Sequence, residues 1–183
     1  YHRSAYAISL VGRLAACVEE LELSGFPFQP EVYRKILMQT YWNGDYFRMD
    51  RKSTNYSSDS ALMPFYLKVI DDKVLADKTL DYIHKSNLNT PYPMKYGEEP
   101  SYNIRYRFGM GKLSMPNYTE TSLWTWHATF YMHLLVRYDR VEYKERYERF
   151  ARLIEWHGTY PELTNPDGTW YYVPFYRADP GMV

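Results

Sequence analysis

Apolar residues recur at spacings of three and four along most of this chain, the signature of amphipathic helices. Six segments carry the pattern, in three pairs. The first runs from about Ser4 to Leu23, with Ala7, Leu10, Val11, Leu14, Val18 and Leu21 as its core stripe and Ser24-Gly25 as its stop. The second starts near Pro30, whose missing N–H would have no helical partner in a first turn, and lines up Val32, Tyr33, Ile36, Leu37 and Thr40. The third spans about Ser60 to Ile70, capped by Asp59 or Ser60, with Pro64 in or near its first turn. The fourth follows from Asp72 to about Lys85 on a stripe of Leu75, Thr79, Tyr82 and Ile83. Leu123 to Tyr138 forms the fifth, behind possible caps at Thr119 to Thr121, and is almost free of charge. In the sixth, Val141 to about His157, the predicted core stripe is Tyr143, Tyr147, Phe150, Ala151 and Ile154. Its other face pairs Glu142 with Arg146, Glu145 with Arg149 and Glu148 with Arg152, acid first, as on a solvated helix.

Charge-poor and charge-rich helices alternate. The third has Lys68 alone, while the fourth has Asp72, Lys73, Asp77, Lys78 and Asp81. A helix apolar all round is buried, and an amphipathic one faces water, so the alternation predicts an inner layer wrapped by an outer one. Connections alternate too. They are short within pairs (24–29, Asp71, Asp139-Arg140) and long between them, at 42–58 and 87–118, with a further long tail after the sixth helix. Successive connections in antiparallel hairpins lie at opposite ends of the stack, so the long segments should share one face. Tyr56-Ser57-Ser58-Asp59-Ser60 and Tyr118-Thr119-Glu120-Thr121-Ser122, 62 residues apart, hint at a repeated unit. The expectation is an all-α fold of about three αα-hairpins, with residues 1–183 in one domain. A start at Tyr1 without Met or signal-peptide pattern, and an end just after Asp179-Pro180-Gly181, read as a domain truncated at both ends. Any targeting signal would lie elsewhere, and a cytoplasmic setting is the working expectation.

Totals narrow the chemistry. The 183 residues are 45% hydrophobic and 24% charged, with a net charge of zero, so nothing recruits nucleic acid or an anionic membrane. No apolar run approaches the roughly 20 residues that span a bilayer. Cys17, the one cysteine, excludes an intrachain disulfide and a thiolate metal site; its place on an apolar stripe predicts a buried thiol. His127 and His133 point to different helix faces, and His2, His84 and His157 lack ligand partners at useful spacing, so no metal is expected. No motif calls for a cofactor: Gly109-Met110-Gly111-Lys112 falls short of a phosphate loop. Arg105, Arg107 and Lys112 interleave with Tyr106 and Phe108, but Glu98 and Glu99 beside them argue against a nucleic-acid face.

Tyrosine is the outlier, with 21 Tyr and 5 Trp. The long segments collect Tyr41, Trp42, Tyr46, Phe47, Tyr92, Tyr96, Tyr102, Tyr106, Trp170, Tyr171, Tyr172 and Tyr176. They also hold Asp45, Asp50, Glu98, Glu99, Glu120, Glu162, Asp167 and Asp179. Carboxylates among rings are what glycoside hydrolysis needs: one acid protonates the leaving oxygen, another activates water or attacks, and rings hold the sugar. Helix capping or solvation accounts equally well for most of these acids. Glu162 stands apart because Pro161 precedes it and the strong turn Asn165-Pro166-Asp167-Gly168 follows, a rigid place to fix a carboxylate.

The loop from Pro161-Glu162 to Gly168 resembles the late catalytic loop of the six-hairpin glycosidases, the glucoamylase-like, trehalase-like and processing-glucosidase-like enzymes. Tyr41-Trp42-Asn43-Gly44-Asp45-Tyr46-Phe47 is similar to their aromatic-Gly segment after an outer helix, and Tyr118 to Trp126 to the segment whose Trp opens an inner helix beside the sugar pocket. Ser122-Leu123-Trp124 lacks the Gly-Pro that often precedes this Trp in the processing-glucosidase branch. The resemblance implies part of an (α/α)6 toroid and a glycoside hydrolase of inverting mechanism with Glu162 as general base. Trp42, Asp45, Tyr118, Glu120, Trp124, Trp126 and Trp170 become candidate carbohydrate contacts, Trp126 being equally suited to the core. The general acid usually lies earlier in the ring, and Asp45 or Glu99 could stand in. Two other readings stay open: a sugar isomerase or epimerase, which needs a base the loops do not supply, and a non-catalytic helical-repeat binding module, in which Glu162 would be dispensable.

Overall fold

A computed structural model of the chain describes residues 4–24, 27, 29–52, 54–98, 115–174 and 176–178. Among them are six α-helices: α1 (Ala5–Glu20), α2 (Pro30–Ile36), α3 (Ser58–Tyr66), α4 (Lys73–Lys85), α5 (Thr125–Arg137) and α6 (Tyr143–His157). A wider π-helical turn, Leu37–Tyr41, prolongs α2. Two short antiparallel strand pairs complete the set: β1 (Leu123–Trp124) with β2 (Leu163–Thr164), and β3 (Tyr172–Val173) with β4 (Tyr176–Arg177). The chain is therefore mostly helical. It divides into two compact units, Tyr1–Tyr82 and Ile83–Val183.

In the first unit α1 packs on α2 and α3, but not with the face its large residues predict. The buried positions are Ala5, Ile8, Ser9, Gly12 and Ala15, while Leu10, Val11, Leu14 and Leu21 are exposed. Close approach explains the rotation. A Cβ added at Gly12 would lie 3.0 Å from Tyr33 Cβ and 3.0 Å from Val69 Cγ1, so only a smooth strip of small residues lets these elements meet so closely. Cys17 is accordingly half-buried, not enclosed. The helix also stops at Glu20, about a turn before the expected Ser24.

The charge-poor α3 buries Ser58 and every residue from Ser60 to Phe65, with Asp59 half-buried. It begins at Ser58 behind an extended Ser57, so Pro64 lies well inside it and not in its first turn. On α2 the stripe narrows to Tyr33 and Leu37, since Val32 is exposed. Ala76, Thr79, Leu80 and Ile83 form the core edge of α4.

In the second unit α5 and α6 form an antiparallel hairpin. Three corrections concern it. Leu123 and Trp124 are not the first helical residues; they are β1, and α5 starts at Thr125. On α6 the core edge is Arg146, Phe150 and Leu153, whereas the predicted Tyr147 is 52% exposed. Arg146 does not pair with Glu142 in solvent. It is 4% exposed, and its guanidinium approaches the Asn89 carbonyl and His84 Nδ1, each at 3.4 Å. Glu142 accepts from Arg140 Nε at 3.0 Å instead. The expected Glu145–Arg149 pair forms, at 2.7 Å.

Candidate active site

The site is built on β1–β2. Trp124 pairs with Leu163, and the Thr125 N–H donates to the Glu162 carbonyl at 3.2 Å. The Thr125 hydroxyl also donates to the Pro161 carbonyl. Tyr160, one residue earlier, donates its phenol to the Thr125 carbonyl at 2.9 Å. The first turn of α5 thus grips the backbone on both sides of Glu162, and Pro161 fixes the path of the chain that enters it. On the far side of β1, Trp124 N–H donates to the Met94 carbonyl at 3.0 Å, which fastens the 88–96 segment to the same edge.

The half-buried Glu162 carboxylate meets two phenols. Tyr118 donates to Oε1 at 3.2 Å, and Tyr176 donates to Oε2. Tyr176 arrives on the β3–β4 hairpin. Tyr118 is held by its own carbonyl, which accepts the Trp124 indole N–H at 2.9 Å, and by its neighbour Pro116, whose carbonyl accepts the Tyr171 phenol at 2.7 Å. The rings of Tyr118, Tyr171 and Tyr176 stand edge to face around one another, with centroids 5.9 to 6.2 Å apart. Burial, then the charge of Glu162, raises the Tyr118 phenol above its ordinary range; burial and its bond to Glu162 raise Tyr176 further. Burial pushes Tyr171 up to about 12. All three therefore remain protonated donors at neutral pH.

Beneath Tyr118 lies an aromatic floor. Trp124 is edge-on to Tyr118 at 4.9 Å and stacks on His127 at 5.6 Å. Trp126 packs on His127 at 4.1 Å. His127 is fully buried, and burial lowers its pKa to about 3, so it is a neutral core ring and no proton carrier.

The structure thus brings Tyr118, Trp124 and Glu162 together, with Trp126 one ring further. Trp124 is 8% exposed, which makes it a support more than a platform. Trp126 keeps part of its ring exposed, while its buried indole N–H lacks an acceptor among the described residues. The Glu120 carbonyl takes the Gly97 N–H, so this residue fixes backbone. The Trp170 ring packs on His157 at the end of α6, centroids 4.4 Å apart. Trp42 and Asp45 belong to the first unit. There Asn43 Oδ1 accepts the Asp45 and Tyr46 N–H groups at 3.0 and 2.9 Å, Trp42 packs on Phe47, and the Asp45 side chain is exposed. Glu99, Tyr102, Arg105, Tyr106, Arg107, Phe108, the 109–112 glycine motif and Asp179 lie outside the described residues.

Sequence reasoning passed over Tyr176 as a site residue, though it stood among the loop aromatics. A carboxylate fourteen residues upstream gives no local signal for it; only the β3–β4 turn brings the phenol back. Among the described residues no His, Cys, Asp and Glu cluster could hold a metal ion, and no helix is long and apolar enough to cross a membrane. No protein-family model matches the chain, and no curated protein matches its sequence.

Proposed function

We propose that this chain is part of a glycoside hydrolase, a piece of an (α/α)6 toroid of the six-hairpin type. It acts on an oligosaccharide or small glycoside with inversion at the anomeric carbon. Glu162 is the general base: its carboxylate takes a proton from the water that attacks the sugar, while an acid elsewhere in the protein protonates the departing oxygen. The observation that carries this reading is the setting of Glu162, a half-buried carboxylate gripped at the backbone by Thr125 and at both oxygens by Tyr118 and Tyr176. A carboxylate that merely capped a helix or faced solvent would need no such frame. Tyr118 and Trp126, whose rings retain exposed area, are the best-placed sugar contacts. Glu120, Trp124 and Trp170, in the same unit, complete the proposed binding set. Isomerase or epimerase chemistry is less well served, because His127, stacked on Trp124, is sealed and neutral.

The test is an NMR time course of sugar release by the full-length protein that carries this chain, on a panel of glucosides and mannosides. Inverted product from the parent, with a loss of about a thousandfold in Glu162→Gln, is the expected result. Equal release by parent and variant would remove Glu162 from the mechanism. An inert parent that still binds sugar would favour a binding module.

A further inference from the structure

The two phenols on Glu162 do more than fill space. Each carboxylate oxygen has one phenol donor, Tyr118 on Oε1 and Tyr176 on Oε2. One acceptor direction on each oxygen is left for a water. The donors come from separate elements, the 115–122 segment and the β3–β4 hairpin, and neither is adjacent to Glu162 in the chain. Each is fixed from behind. Tyr171, 2% exposed, spends its phenol on the Pro116 carbonyl and so ties the Tyr118 segment to the strand that leads into the hairpin.

We infer that Tyr176 and Tyr118 are positioning residues that hold the Glu162 carboxylate in a single orientation, with Tyr171 as the strut that keeps the pair in register. The inference rests on the reading of Glu162 as general base and deepens it. Opposed donors on the two oxygens block rotation of the carboxylate about its last bond, so its free acceptor directions stay aimed at one place. Removing one phenol frees one oxygen and lets the carboxylate turn.

The experiment uses the full-length protein with its glutamates 13C-labelled at the carboxyl carbon, the Glu162 signal being assigned by its absence from Glu162→Gln. The chemical shift and linewidth of the Glu162 carboxyl signal at neutral pH are followed in the parent, Tyr176→Phe and Tyr118→Phe, with circular dichroism as a check on folding. Loss of either hydroxyl is expected to move and broaden that signal, because one oxygen loses its donor and the carboxylate gains rotational freedom. In hydrolysis, the same variants are expected to lower kcat about tenfold or more and to move KM less than threefold. An unmoved signal in both variants overturns the inference, whether or not the protein hydrolyses anything. A moved signal in a protein that releases no sugar leaves the inference standing and removes the hydrolase reading. Should Tyr176→Phe disturb the hairpin, Tyr118→Phe asks the same question at the other oxygen.

Discussion

Two aromatic loops, one in each unit, look alike as sequence and differ as structure. Both follow a helix, both are rich in Tyr and Trp, and both contain an Asx-Gly-type turn with an acid. The 41–56 loop folds inward. Tyr41 and Phe47 are fully buried, and Tyr46 packs on Tyr56 and Tyr82 while its phenol donates to the Thr54 carbonyl at 2.7 Å. Its rings go to the core and its acid, Asp45, to the solvent. The 160–178 loop folds around its acid instead: its Tyr176 phenol, joined by Tyr118 from the 115–122 segment, donates to Glu162, with a strand pair beneath it. Aromatic content therefore marks a site only where polar tips converge on a shared group. Rings whose hydroxyls end on backbone carbonyls are core with a satisfied edge.

The largest effect that would sharpen this contrast is on activity. Asp45→Asn in the full-length protein is expected to keep sugar release within about threefold of the parent, against the thousandfold loss in Glu162→Gln. A comparable loss in both, measured as kcat/KM, would return Asp45 to the mechanism as the acid.

The next effect is on stability, at the glycine of each loop. Gly168 has φ +88°, and an added Cβ would come within 2.7 Å of the Tyr92 ring and 3.1 Å of Leu153. Gly44 has φ +113° but nothing within 4 Å of an added Cβ. Gly44→Ala therefore meets backbone strain alone and should cost about 1–2 kcal/mol. Gly168→Ala meets strain and a rigid ring, and should cost about 3–4 kcal/mol in denaturant unfolding. Equal costs would mean that Tyr92 yields freely and that the second loop is no tighter than the first.

The last effect is distributed over pH, and is small per pH unit. His127, lowered from 6.5 to about 3 by burial, takes up a proton far more readily once the chain unfolds. Its contribution is full above about pH 6.5, and stability falls as pH drops from there towards 3. The slope from this one group is at most about 1.4 kcal/mol per pH unit. Replacing it with Phe should flatten that part of the stability profile, read as the urea midpoint between pH 4 and 7. An unchanged slope would show that the acid sensitivity of the second unit lies elsewhere.

Much was legible before any coordinates. All six helices stand within a turn or so of where spacing put them, because periodicity over ten or more residues reports the burial that stabilises a helix. The buried, charge-poor α3 and the Glu145–Arg149 pair on α6 follow from the same logic. Errors arose where a local rule met a competing tertiary demand. On α1 size suggested the large residues as core, yet close approach to Tyr33 and Val69 selected the small ones. On α6 charge suggested Arg146 as surface, yet the Asn89 carbonyl and His84 gave it partners inside. Leu123-Trp124 reads as helix in the sequence because a two-residue strand has no period of its own; its partner, Leu163-Thr164, lies forty residues away.

The sequence alone determined the helical class and the turn that follows Glu162, since these depend on spacing, proline and turn residues acting over a few positions. Tertiary structure alone decided which helix faces are buried and which phenols reach the carboxylate. Those choices turn on distances between segments far apart in the chain, and no local pattern encodes such distances.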